Sequence, residues 1–378
     1  MEREKKYQGI SRILVFLFLV LPISMGLLAA WSAEAKSKPI KLVYSTLLNE
    51  GHPMAIANRW FMEQIEKETG GKVKFDKFYS SSLTPGMQAL FALRDASIDM
   101  TDLCAPYWPN QVPISDLFGV PFITNNGWAR AKAANDIILN NPDVRNEYEK
   151  NGAHFVAVNA SEAVVFSSAK PISTMEDLKG LKARSYGQYA KLLKKLGVFP
   201  VSLTWGDIYT SAERGLINAC CPTPFIQHGT SSNYEVLPYH YDIGWGTFTI
   251  KALAFSTHCW NKKLPQDVKD IITRLGKKWT DVTAKTTNDQ IVVTTKRIVK
   301  EKPIAEFHVL TPKQREEWVK PIQFDAYMED WLNKLTEKGI SARPIWNEYL
   351  KKIAEYEKKA DFETTWEIWE KLGVAKPL

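Results

Sequence analysis

Residues Asp177–Pro224 read DLKGLKARSYGQYAKLLKKLGVFPVSLTWGDIYTSAERGLINACCPTP, and this stretch decides the fold. Its punctuation predicts a short helix, a turn at Gly180, a strand carrying Arg184 and a helix. A strand near Phe199–Ser202, a further helix and a strand near Leu216–Ala219 follow. Such alternation predicts a parallel sheet with helices packed on it. In sheets of this kind the carboxyl ends of strands border the crevice where small ligands sit. Arg184 falls at such an end. A guanidinium is always charged and offers a planar fork to a carboxylate. The plain alternative is a surface salt bridge.

Working outward, Pro39–Leu47 reads as the first strand, His52-Pro53 as the entry to a helix that ends at Gly70-Gly71, and Val73–Tyr79 as the second strand. A helix over Thr84–Asp95 and a strand over Ser97–Leu103 place Tyr107 and Trp108 just past a strand end, against a ligand or under the next loop. Gly127–Lys150 is helical with a break at Asn141-Pro142. Strands are expected over Ala153–Val158 and Ala163–Ser168, with a crossing between lobes near Asn159–Glu162. Tyr239–Thr249 is rich in aromatics and glycine, so Trp245 and Phe248 are candidate pocket walls. Lys251–Trp260 reads as a returning strand, and Pro265 to about Val299 as one long helix. Pro222–Gly229 reads as helical. The Trp-rich tail from Thr311 reads as helices packed on the lobes, its Lys/Glu alternation marking solvated faces.

The chain has 378 residues and a formal charge of +7 with both signs interspersed. That balance does not argue for nucleic acid. Met1–Ala35 has the layout of a secretory signal: Lys5, Lys6 and Arg12, the apolar Ile13–Leu21, then Ala33-Glu34-Ala35. The apolar stretch is also long enough for an uncleaved anchor, and the small-x-small site decides for cleavage. Cys104, Cys220, Cys221 and Cys259 are too few for a disulfide scaffold, and spacing leaves their state open. A bridge between the vicinal pair would be strained. No G-x-S-x-G, H-E-x-x-H or Gly-rich phosphate loop marks an enzyme, and the histidines lack zinc spacing.

DLKGLKAR followed by LGVFPVSLTWGDIYTSAERGLINA resembles the periplasmic solute-binding subunits of TRAP transporters, the DctP-type family. His52-Pro53, Phe61, Ile65–Val73, Ser97–Thr101 and the Ser256, Trp260, Leu264, Pro265 turn resemble the family too. The resemblance implies an α/β, two-lobed periplasmic-binding-protein-like fold with mixed sheets, a long lobe-spanning helix and a helical C-terminal tail. The expected layout is a signal peptide over 1–35, a first lobe over 36–161 with about 248–287, a second over 162–247 with about 288–340, and a helical extension over 341–378. In the family the last arginine of the first motif clamps the ligand carboxylate, and it maps onto Arg184. A second arginine found in many members falls near Val164 and is absent. Leu216–Thr223 also departs, with Cys221 and Thr223 replacing polar family residues.

The sequence therefore points to an extracytoplasmic receptor for a small organic anion, a monocarboxylate with an apolar or aromatic body. Arg184 is its anchor. Trp205, Tyr209, Trp108, Tyr107, Trp245, Tyr186, Cys221, Thr223, Phe248, Glu162 and His52 are the further candidates at the ligand. For His52 the competing role is a helix cap, and for Glu162 a solvated carboxylate. No catalytic residue, metal or cofactor is expected. A metal bridges the ligand in some family members, but no residue set here demands one. The resemblance implies integral membrane TRAP transporter subunits as partners, a periplasmic location and a monomer. A sensory binding protein, or an extracytoplasmic enzyme on the same fold, are the alternatives.

Overall fold

The computed structural model describes residues 38–247, 251–359 and 362–378. The expected signal peptide lies outside them. The strands are β1 (Ile40–Ser45), β2 (Val73–Phe78), β3 (Met100–Cys104), β4 (Ala153–Val158), β5 (Val164–Ser168), β6 (Lys182–Arg184), β7 (Phe199–Val201), β8 (Ala219–Pro224), β9 (Tyr239–Asp242), β10 (Lys251–Ser256), β11 (Glu306–Val309) and β12 (Ala375–Pro377). The helices that matter below are α1 (Pro53–Glu68), α2 (Gly127–Asn140), α3 (Gly187–Lys195), α4 (Phe225–Thr230), α5 (Gln266–Glu301), α6 (Ala342–Glu357) and α7 (Thr365–Lys371). One five-stranded sheet has the order β2-β1-β3-β10-β4, and a seven-stranded sheet has the order β12-β11-β9-β5-β8-β6-β7. In each sheet the strand that has just crossed from the other lobe runs antiparallel to both its neighbours: β10 between β3 and β4, and β5 between β8 and β9. The sheets are mixed for that reason.

The DLKG motif works as local chemistry. Asp177 Oδ2 accepts from the Ser173 and Thr174 backbone N–H groups and closes a capping box with Thr174. Gly180 then turns the chain at φ +81°, a conformation only glycine takes freely. The strand that follows starts with exposed Lys182 and ends on buried Ala183 and Arg184. The expected strand at Leu216–Ala219 lies further on, at Ala219–Pro224, and the helix expected from Pro222 starts at Phe225. Proline ordinarily marks a helix start. Here a register shift between Val165 and Ser167 of β5 lets β8 carry Pro222 without a matched ladder position.

Three connections hold the lobes in register. Asn159 N–H donates to Lys251 O at 3.1 Å, and Lys251 N–H donates to Asn159 Oδ1. Ala163 bridges Thr247. The third is α5, 36 residues long and so about 54 Å at 1.5 Å per residue. Its first half packs Val268, Ile272, Leu275 and Trp279 into the core beneath β1 and α1, and its second half packs Ile291 and Ile298 beside α4 and α7. Between these halves its inner face carries Thr280, Thr283, Ala284 and Thr287. Thr280 donates to Val158 O at 2.7 Å, and Thr283 Oγ1 accepts from Ala160 N–H at 2.9 Å. The tail serves both lobes. Helix α6 packs Ile345, Trp346 and Tyr349 in the first lobe's core. Trp369 of α7 packs on Phe225 and Phe307, and β12 adds to the second sheet beside β11.

Gly127, the first residue of α2, lies against the crossing: a Cβ there would sit 1.9 Å from Ser161 O. Gly127→Ala should therefore lower stability by about 2 kcal/mol or more, read by chemical denaturation. In the second lobe buried Ser167 bridges His228 Nε2 at 3.0 Å and His240 Nδ1 at 2.8 Å. Burial holds both imidazoles below their ordinary pKa, that of His240 at about 3. As pH falls below about 6.5 the unfolded chain takes up these protons and the folded chain does not. Each histidine should then remove about 1.4 kcal/mol of stability per pH unit. Buried Asp116 and Glu147, held up at about 6 and about 7, run the opposite way, so the comparison must be with a variant. Urea unfolding at pH 5 and pH 7 should show a smaller acid loss in the His228→Gln/His240→Gln double variant than in the natural chain.

Candidate functional site

The carboxyl ends of β1, β3, β6 and β8 and the start of β10 meet where the chain crosses between lobes. Arg184 ends β6 and is 2 % exposed. Nε donates to Leu203 O at 3.1 Å and Nη1 to Pro222 O at 3.3 Å. The Tyr186 ring lies 4.4 Å from the guanidinium carbon and the Trp205 ring 5.9 Å from it, close enough for cation–π attraction. Tyr107, from the first lobe, packs edge-on against Tyr186 with ring centroids 5.4 Å apart, and Cys220 pairs with Arg184 in the β6–β8 register. Among the described residues no carboxylate pairs with it. Arg130 of α2 shows the contrast. It too is buried, but its Nε and both Nη atoms go to Phe118 O, Tyr349 Oη, Thr247 O and Val120 O, so it is a structural tie with its fork filled.

Tyr107 stands between two openings. A cavity of about 360 Å³ is bounded by Leu47, Gly86, Met87, Tyr107, Trp205 and Ser231. Another of about 330 Å³ is bounded by Met87, Tyr107, Tyr186, Gly187, Lys191 and Lys194. The two lysines of α3 make that rim basic and would draw an anion in. The lobes touch across the cleft. Asn49 donates to Thr230 O at 2.8 Å, and Gln188 Nε2 to Asp116 Oδ2 at 3.0 Å.

The other expected residues divide. Tyr107, Tyr186 and Trp205 gather on Arg184. Thr223 is one residue beyond the carbonyl that holds Arg184, and its Oγ1 lies 2.8 Å from Cys220 Sγ. Of the vicinal thiols it is Cys220 that faces Arg184; Cys221 packs in the second lobe's core. Trp108 is core, with Nε1 donating to Met87 O. Trp245 stacks on Tyr189, away from the guanidinium. Tyr209 is half-buried with its hydroxyl on Glu235 at 3.0 Å. Phe248 lies outside the described residues. His52 is a cap, Nδ1 accepting from Met54 N–H at 3.1 Å, yet its Nε2 is buried without a partner. Glu162 is buried rather than solvated and accepts from Ile226 N–H at the start of α4.

Sequence reasoning missed Lys251, Asp102 and Cys104 on the first-lobe side. Lys251 opens an otherwise apolar strand, KALAFS, and a lysine at that place is a usable signal. Burial pushes the Cys104 thiol up to about 11 even with Lys251 and Arg184 nearby, so it is protonated at neutral pH and a weak nucleophile. Among the described residues no group of three or more His, Cys, Asp or Glu side chains could hold a metal ion, and no helix is long and apolar enough to cross a membrane.

Comparisons agree with this layout. The family described as bacterial extracellular solute-binding protein, family 7 (DctP), matches residues 44–328. A monocarboxylate 2-oxoacid-binding periplasmic protein from Nostoc is 26% identical over 218 residues, covering 55% of this chain and 57% of that protein. The chain thus spans little more than half the length of that curated relative. A TRAP solute-binding protein from Rhodoferax ferrireducens, solved with copurified benzoate, superposes with a TM-score of 0.74 at 19% identity, covering 85% of this chain and 99% of that one. One from Haemophilus influenzae, solved with bound L-gulonate, gives 0.71 at 20% identity, covering 83% and 99%. With the family matched over most of its length, this chain belongs to the DctP family of bacterial extracellular solute-binding proteins.

Proposed function

We propose that this chain is a periplasmic receptor that closes on one small organic acid, a monocarboxylate, and hands it to the integral membrane subunits of a TRAP-type transporter. One observation carries the reading. Arg184 is a buried cation with two carbonyl partners and no carboxylate among the described residues. An unpaired charge out of water is costly, and a bound carboxylate would supply the missing charge with fork-to-fork hydrogen bonds. Tyr186 and Trp205 flank that position with apolar faces.

Binding would be a shift between open and closed populations. The contacts from Asn49 to Thr230 and from Gln188 to Asp116 form only when the lobes meet. The ligand adds the attraction that holds them, and the closed outline is what a membrane partner would read. Protonated thiols at Arg184 support a receptor over a thiol enzyme.

Arg184→Met should separate binding from folding. Met keeps much of the volume and removes the charge, so the unliganded variant should be at least as stable as the natural chain. A thermal-shift screen against organic acids, on protein unfolded and refolded to strip carried ligand, reads the other half. An acid at a hundred times its Kd should stabilise the natural chain by about 2.7 kcal/mol and leave Arg184→Met unmoved. A hit that survives the substitution would place the anchor elsewhere.

A further inference from the structure

Resting on the reading of Arg184 as the carboxylate anchor, we propose that Lys251 and Asp102 form a second polar subsite, on the first lobe, that takes a hydroxyl group of the same ligand. Lys251 begins β10 opposite Cys104 of β3, so both side chains share the sheet face that carries α1. Its backbone is fixed on both sides by Asn159, which holds it at the crossing. It is 5 % exposed. Its ammonium lies within electrostatic reach of His52, Asp102, Glu162 and Cys104. Lys251 stands opposite Cys104 in the first-lobe sheet and Arg184 opposite Cys220 in the second-lobe sheet, so the two cations belong to opposite lobes where the strand ends meet.

The partners of this lysine are incomplete. Among the described residues no carboxylate lies within 4.0 Å of it, the distance that defines an ion pair. Asp102 Oδ1 is engaged by Tyr44 Oη at 3.3 Å and Asn58 Nδ2 at 3.5 Å, while Oδ2 is buried with no partner. His52 Nε2 and Ser45 Oγ are also buried and unpartnered. Asp102 Oδ2 lies on the same face as Lys251, whereas strand alternation turns Ser45 to the face opposite Tyr44. An orphaned polar atom such as Asp102 Oδ2 is costly unless something completes it.

The donor and acceptor types select the group. An ammonium only donates and an ionised carboxylate only accepts. A hydroxyl satisfies both at once, accepting from Lys251 and donating to Asp102 Oδ2. A methyl group satisfies neither. A second carboxylate would gain Lys251 but meet Asp102 and Glu162. The ligand is then a hydroxylated monocarboxylate, and dicarboxylates and plain alkanoates are the acids this pocket rejects. Sites built around a hydroxyl discriminate strongly against analogues lacking it, because their buried groups are left unpaired.

The test is titration calorimetry on the stripped, refolded chain with three matched series from three to six carbons: ω-hydroxy acids, n-alkanoic acids and α,ω-diacids. The natural chain should bind a hydroxy acid at least about tenfold more tightly than its alkanoic and diacid counterparts. Lys251→Met and Asp102→Asn should each erase that preference and keep alkanoate affinity within about threefold; two variants guard against one failing to fold. A hydroxyl preference that persists in both folded variants, or a diacid bound best by the natural chain, overturns the subsite and leaves Arg184 as anchor. No binding by any series, with Arg184→Met indistinguishable from the natural chain, overturns the carboxylate reading and the subsite with it.

Discussion

A guanidinium held out of water with only part of its fork engaged is the constraint around which this molecule is arranged. Arg130 shows what the fold does with a buried arginine whose role is structural, since every nitrogen of its fork meets an acceptor. At Arg184 the fold stops short. Two carbonyls and the Tyr186 ring fix the plane of the fork. Tyr107, from the other lobe, packs edge-on against that same Tyr186 ring. On the proposed function, a bound anion would complete this fork and stabilise the fold. Arg184 ends a three-residue strand beside two other strand ends, the place where sheets of this kind border a crevice.

The proposed closure would need the lobes to approach without losing register, and the crossings suit it. Two peptide crossings bond to each other through Asn159 and Lys251 and through Ala163 and Thr247. The long helix ties to the same segment mainly by threonine hydroxyls, with Ala284 the small core residue among them. A hydrogen bond from a threonine can reorient over small angles at little cost, whereas interlocked side chains resist it. The apolar stretches of that helix lie on either side, one per core.

Much of this is legible in the sequence. Asp177 and Gly180 announce a capped turn, and Arg184 follows at the right distance to end a strand. His52 before Pro53 announces a helix start. What the sequence hides has physical reasons. Proline ordinarily opens helices, so Pro222 and Pro224 conceal the second half of β8, which a register shift accommodates. Tyr209 and Trp245 are aromatic as expected, but the rotation of their elements leaves one half-buried on Glu235 and the other in the core, and rotation is set by packing that no single stretch encodes. Lys251 and Asp102 come from strands about 150 residues apart, and only sheet pairing puts them together. Cys220 and Cys221 differ by one position, and in a strand one position decides which face a side chain takes.

The placement of β10 bears on how the chain acquires its structure. This strand lies in the middle of the first sheet, between β3 and β4, yet everything from β5 to β9 lies between it and β4 in the chain. The first lobe's sheet is therefore two separate pieces until the second lobe's central segment has been made. Closing so long a loop is slow when its entropy must be lost before any contact rewards it. A second lobe that has already collapsed shortens the loop by bringing residues 163 and 247 into contact. This connectivity favours assembly from the middle of the chain outward, an order that would leave the flanks of β3 and β4 that β10 covers exposed until β10 arrives.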